Sequence, residues 1–168
     1  QFGFAIDADL AVMRPHQTLA GLTARLMESI DGWLETGHPD MALVQGDTTT
    51  VLVAALACFY RRIPIGHVEA GLRTGNIWAP FPEEVNRRIT TVIAARHFAP
   101  TKGAAANLAR EGIAGAAITV TGNTVIDALL GVVKQTPSRM PPLPLRGTRI
   151  VLVTAHRREN FGAPMEEI

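Results

Sequence analysis

The chain has 168 residues, 47% of them hydrophobic and 18% charged, with a formal net charge of +1. That is an ordinary globular composition for one domain or slightly more, and the absence of a basic excess leaves no footprint for nucleic acid. The longest apolar stretch, Val51–Tyr60, is about half the length a membrane span needs.

In chain order, residues 1–17 read as irregular, with an edge strand near Leu10–Met13. Thr18 is placed to cap a helix running to about Glu35, with Leu19, Leu22, Leu26, Ile30, Trp33 and Leu34 at helical spacing and Gly37 ending it. Met41–Val44 reads as a buried strand and Thr48–Arg61 as a helix. Pro64–Val68 is a second strand, followed by a glycine-containing loop and a helix over Glu83–Arg96. His97–Ala99 is a short strand, Lys102–Glu111 a helix closed by Gly112, Ala117–Val120 a strand and Val125–Gln135 a helix. Strands alternating with helices of this length predict an α/β fold, a Rossmann-like parallel sheet flanked by helices.

Residues 1–135 thus make up most of one domain. The stretch "TPSRMPPLPLRG" (136–147) is rich in proline and reads as an interdomain linker. Thr148–Val153 begins a new strand, so 148–168 is expected to be the start of a second domain. No signal peptide is visible. Cys58 stands alone in an apolar segment, without a disulfide partner or metal-ligand spacing. It reads as a buried thiol in a reducing, cytoplasmic compartment.

Open parallel sheets bind ligands beyond the carboxyl ends of their strands. The residues that follow the strands here are polar: Gln45-Gly46-Asp47, then Glu69, then Thr101, then Thr121-Gly122-Asn123-Thr124, and after the linker His156-Arg157-Arg158. Each also has a structural reading. Asp47 precedes a helix and is either its N-cap or a site carboxylate. Glu83 and Glu84 suit the first turn of a helix and its macrodipole. Thr101 and Asn123 read first as caps, and His67 as a buried, hydrogen-bonded histidine. Arg87 and Arg88 are either solvated or partners of Glu83 and Glu84 at helical spacing. Glu69 has no helix to cap. The "HRREN" segment, with one histidine and two arginines at a βα turn, suits a diphosphate.

The segments "QGDTTT", "HVEAGLRTG", "PFPEEVNRR", "HFAPT", "TGNTVIDAL" and "VTAHRRENFG" occur in this order across essentially the whole chain. Together they closely resemble the bacterial non-hydrolysing UDP-N-acetylglucosamine 2-epimerases. The resemblance implies the N-terminal half of a GT-B-type fold, in which two Rossmann-like domains face each other across a cleft. It also implies that the family's first strand, with its "GTRPE"-type turn, and most of the second, nucleotide-binding domain belong to a longer parent. By motif position, Asp47, Glu69 and Glu83 match the family's essential carboxylates, and His156 its active-site histidine near the departing UDP. Arg87, Arg157 and Asn123 match substrate-binding positions, with Arg87 expected to support Glu83. Gln17, Arg157 and Glu159 match positions linked to a second, allosteric substrate site, although His16 departs from the usual neighbours of that glutamine.

The implied reaction interconverts UDP-GlcNAc and UDP-ManNAc. Elimination of UDP gives 2-acetamidoglucal, and re-addition inverts C2. The C2 proton has no adjacent carbonyl, so its removal depends on departure of the diphosphate. The site therefore needs a diphosphate stabiliser and more than one acid/base group. The resemblance implies no metal and no redox cofactor, a homodimer in the full-length parent, and a supply of ManNAc for surface polysaccharides; the charge balance and the short apolar runs lead to the expectation of no nucleic-acid and no membrane partner. "TGNT" lacks the spacing of a dinucleotide fingerprint. Hydrolysing epimerases, which release ManNAc, carry an "HGGE"-like sequence where this chain has "HVEAGLRTG". A GT-B glycosyltransferase fits the three rim carboxylates poorly. An inactive nucleotide-sugar-binding fragment is the remaining alternative.

Overall fold

The computed structural model describes Gly3 and residues 5–135. The proline-rich linker, the strand expected at Thr148–Val153, and His156, Arg157 and Glu159 lie outside the described residues. The elements run α1 (Leu19–Gly37), β1 (Ala42–Gln45), α2 (Thr49–Tyr60), β2 (Ile65–Val68), α3 (Glu83–Ile93), β3 (Arg96–Ala99), α4 (Lys102–Arg110), β4 (Ile118–Val120) and α5 (Thr124–Gln135), with a 3-10 turn at Gly115–Ala117 before β4. The four described strands form one sheet in the order β1-β2-β3-β4. All pairs are parallel, in a register that matches Ala42 with Ile65, His67 with His97 and His97 with Ile118. This is the predicted Rossmann-like α/β architecture, with helices flanking a parallel sheet.

Threonine hydroxyls start three of the helices. Thr18 accepts from the Gly21 N–H at 3.0 Å, Thr48 from Val51 at 3.4 Å and Thr101 from Ala104 at 3.1 Å. Each satisfies a donor that has no partner within the helix. Along α1, Leu26, Ile30 and Leu34 recur every fourth residue and are buried against α2 and β1. In α2 apolar residues run nearly all round, and it packs between α1 and α3. A second, smaller apolar cluster joins Ala70, Ala99, Ala104 and Leu108.

Several local expectations are corrected. No strand forms at Leu10–Met13. Leu10 and Val12 pack against the α1–α2 core instead, and the Arg25 Nε donates to the Val12 carbonyl at 3.2 Å. Gly37 is still helical; His38, with φ of 40°, is the left-handed cap. β1 lies at the sheet edge and leaves Leu43 66% exposed, so it is not a buried strand throughout. α3 stops at Ile93, short of Arg96, because the Ala95 N–H already donates to the Ile65 carbonyl at 2.8 Å and begins the β3 ladder.

The chain divides into two compact units, Gln1–Asn123 and Thr124–Ile168. α5 is the described part of the second. Among the described residues no helix is long and apolar enough to cross a membrane.

Candidate active site

β1 and β2 deliver two of the three candidate carboxylates to the same end of the sheet. The turn after β1 passes through Gly46 to Asp47, and the Gly46 N–H donates to the Val68 carbonyl at 3.1 Å. Glu69 directly follows β2 with φ of 67°, a left-handed conformation that costs a non-glycine residue roughly 1–2 kcal/mol. The ladder holds it there: the Ala70 N–H donates to the Phe98 carbonyl at 3.0 Å. This twist brings a Glu69 carboxylate oxygen to 3.6 Å from where a Cβ on Gly46 would lie, beside Asp47. Strain of this kind at a strand end is a frequent mark of function.

Asp47 is not a cap, since Thr48 fills that role. Its side chain is ion-paired with the Arg87 Nη1. The same guanidinium donates from Nη2 to the Glu84 carboxylate at 3.1 Å. Asn86, one position earlier, donates from Nδ2 to the Asp47 carbonyl at 2.8 Å. From the other side the imidazole of His67, wholly buried, bonds through Nε2 to the Gly46 carbonyl at 2.8 Å. A carbonyl only accepts, so this Nε2 carries the proton. Burial depresses the His67 pKa and keeps the ring neutral. The Asp47 turn is thus fixed by β2 and α3 together.

α3 inverts the usual pattern of an amphipathic helix. Its buried positions are Glu84, Asn86, Arg87, Thr90 and Thr91, while Val92 is 80% exposed. A polar helix face turned inward requires hydrogen-bond partners. Glu84, with no exposed surface, accepts from the backbone N–H groups of Thr74 at 3.1 Å and Gly75 at 3.3 Å as well as from Arg87. Burial disfavours its ionised form, but the hydrogen bonds from Thr74, Arg87 and Gly75 more than offset this and hold its carboxyl below the usual range. Glu83, one residue earlier, has a buried Oε2 without a hydrogen-bond partner among the described residues.

The loop after Glu69 is tied down along its length. The Gly71 carbonyl accepts from Asn107 Nδ2 at 2.8 Å. Arg73 forks onto Glu111 with two bonds of 2.7 Å and also donates to Thr91 at 2.8 Å. Arg73 lowers the Glu111 pKa, chiefly through this hydrogen bond.

The expectation that Arg87 supports Glu83 is corrected, because its partners are Asp47 and Glu84. Gln17 accepts from the Arg14 N–H at 3.2 Å and from Arg25, ties that fasten the segment ahead of α1. Asn123 stands at the last position of the first unit, past β4. Glu84 was missed as a hub because the sequence shows only two adjacent acids after a proline. A cavity of about 380 Å³ between the N-terminal segment and α1, lined by Ile6, Asp7, Leu10, Ile30 and Trp33 among others, does not include Asp47, Glu69 or Glu83. Among the described residues no group of three or more His, Cys, Asp or Glu is arranged to hold a metal ion.

The sequence model of the family described as UDP-N-acetylglucosamine 2-epimerase matches residues 1–168. The UDP-N-acetylglucosamine 2-epimerase of Yersinia pestis is 50% identical over 171 residues, covering 96% of this chain and 46% of that protein. That of Escherichia coli K12 is 47% identical over 176 residues, covering 99% and 47%. The crystal structure of the Neisseria meningitidis UDP-GlcNAc 2-epimerase bound to UDP-GlcNAc superimposes with a TM-score of 0.74 at 49% identity, covering 78% of this chain and 36% of that one. The chain spans about half the length of the curated relatives it matches.

Proposed function

We propose, from the premise that the chain belongs to the UDP-N-acetylglucosamine 2-epimerase family, that its full-length protein interconverts UDP-GlcNAc and UDP-ManNAc. The observation that carries this is the convergence of Asp47, Glu69 and the start of α3 on one end of the sheet, with a buried carboxylate oxygen of Glu83 left without a partner among the described residues. In the forward direction the C1–O bond to UDP breaks and the C2 proton passes to a base, giving 2-acetamidoglucal and UDP. UDP then adds back at C1 as a proton is delivered to the opposite face of C2. Two faces require two acid/base groups in different surroundings. Asp47, paired with Arg87, and Glu83, without such a partner, differ in this way, and we assign both to C2. Glu69, held in a strained turn, orients the sugar. His156 and Arg157 attend the departing diphosphate.

On the same reading, 136–147 links this domain to a second nucleotide-binding domain that begins within 148–168. The protein works as a homodimer in the cytoplasm and supplies ManNAc units for surface polysaccharide. The test is turnover in deuterated water by the full-length protein. UDP-ManNAc made from UDP-GlcNAc should carry deuterium at C2, with traces of UDP and 2-acetamidoglucal. Product that keeps protium at C2, or turnover that depends on added NAD, would overturn the elimination route.

A further inference from the structure

We propose that Glu84 is a positioning residue that sets the catalytic carboxylates Asp47 and Glu69 relative to each other, an inference that rests on the epimerase reading of the site. Glu84 contacts neither carboxylate. It reaches Asp47 through Arg87, whose two Nη atoms divide between the two acids. It reaches Glu69 through the loop, whose Thr74 and Gly75 N–H groups it accepts five and six residues after that strained turn. The loop between is held by Asn107 on Gly71 and by Glu111 and Thr91 on Arg73. Glu84 is thus one of three anchors, at Gly71, Arg73 and Thr74-Gly75, that together fix the course of the loop leaving Glu69. With no exposed surface and three donors converging on it, the Glu84 carboxylate has no room for water in place of a lost partner. Its charge also divides the Arg87 cation, so that Asp47 is not its sole counter-ion. The adjacent Glu83 has none of these contacts, which separates the roles of two neighbours of identical chemistry.

The experiment uses the full-length protein and the variants Glu84→Gln, Arg87→Met and the double variant. Glu84→Gln keeps the shape but presents an amide NH₂ to groups that are all donors. We expect kcat to fall about 10- to 100-fold, the scale of a misplacement near 1 Å, with KM within about twofold of wild type because substrate contacts are untouched. Since Glu84 reaches Asp47 through Arg87, adding Glu84→Gln to Arg87→Met should cost less than the product of the two single losses, the remainder being the loop route to Glu69. A merely structural Glu84 would instead give losses that multiply, and that result, or a normal kcat in Glu84→Gln, overturns the proposal. Thermal melts accompany each variant. If Glu84→Gln does not fold, Glu84→Asp serves. It keeps the charge but is one methylene too short to hold Arg87 and the loop together, so kcat should fall in a folded protein, and an unchanged kcat overturns the proposal. If the wild type does not epimerise UDP-GlcNAc, the functional reading fails separately. Amide exchange over residues 69–76 then decides: protection of Thr74 and Gly75 lost in Glu84→Gln supports the tie, and unchanged protection overturns it.

Discussion

Substituting Gly71 by alanine tests how the loop carrying Glu69 is seated. Gly71 has φ of +85°, and a Cβ there would lie 2.3 Å from the Ala104 carbonyl oxygen and 2.9 Å from Leu108 Cγ. Two costs follow. The left-handed backbone costs a residue with a Cβ roughly 1–2 kcal/mol. Relief of the overlap requires α4 or the loop to move by about an ångström, and overpacking of this kind costs about 1–3 kcal/mol. The sum, about 2–5 kcal/mol, is a large part of the ~5–15 kcal/mol that holds a domain folded. It corresponds to a fall in Tm of about 5–15 °C. Two other glycines divide the sum. Gly75, with φ of +77° and nothing within 4 Å of its Cβ position, carries the backbone cost alone. A Cβ on Gly66 would meet Leu43 Cδ2 at 2.6 Å and Phe98 Cε2 at 3.0 Å, but both are side-chain atoms rather than backbone, and Leu43, 66% exposed, can turn away. Urea and thermal unfolding should therefore rank Gly71→Ala as the most damaging of the three, with turnover lost alongside. If Gly71→Ala is no less stable than Gly75→Ala, the close packing of this loop on α4 is wrong.

Asp47→Asn and Glu83→Gln in the full-length protein should each lower turnover by about 10²–10⁴ with an unchanged circular dichroism spectrum, and near-normal turnover would remove that residue from the acid/base set; Glu69→Gln, which disturbs the orientation of the sugar, should cost about 10², and near-normal turnover would remove it from the site. Thr18→Ala should cost about 0.5–2 kcal/mol in chemical unfolding without changing kcat, because it removes only the cap of α1. Stability should fall with acid in two stages, readable as Tm against pH. Burial lowers the His67 and His97 pKa values from the ordinary 6.5. Below that pH the unfolded chain binds protons that the folded one resists, so their contribution is whole above pH 6.5 and is lost as pH falls through the depressed values. Glu84 and Glu111, lowered from 4.5, add a second loss below that pH. Glu84→Gln should remove part of the second stage and leave the first. A Tm that rises on acidification from pH 7 to 5 would contradict this.

The βα alternation was legible because most of the strands and helices carry an apolar run of their own, and three helices start at a threonine. His67 was also legible as a buried, hydrogen-bonded residue. The polar core of α3 was not. Glu83 and Glu84 present the same chemistry at adjacent positions, and only the approach of the Thr74 and Gly75 N–H groups decides which one is buried. Periodicity would turn Val92 inward, yet the contacts of Arg87 and Asn86 with the Asp47 turn hold the polar side there. The Leu10–Met13 strand failed for a related reason. Four apolar residues suit an edge strand or a segment laid on a helix equally well, and Arg25 decides by reaching the Val12 carbonyl.

The strand order has a consequence for how the protein acquires its chemistry. Among the described residues each of β1, β2 and β3 pairs with the next strand in sequence, Ala42 with Ile65, Gly66 with Arg96 and His97 with Ile118. Each pairing closes a single crossover, so sheet formation can advance one βα unit at a time, as is usual for rapid assembly from near-neighbour contacts. The Asp47–Arg87 pair spans a longer loop, since it joins the end of β1 to a helix that follows β2. Its geometry is defined only after β2 has docked and α3 has packed on α2. A chain that has paired only β1 with β2 thus lacks the Asp47–Arg87 contact, which forms with the next unit, when α3 crosses over to β3.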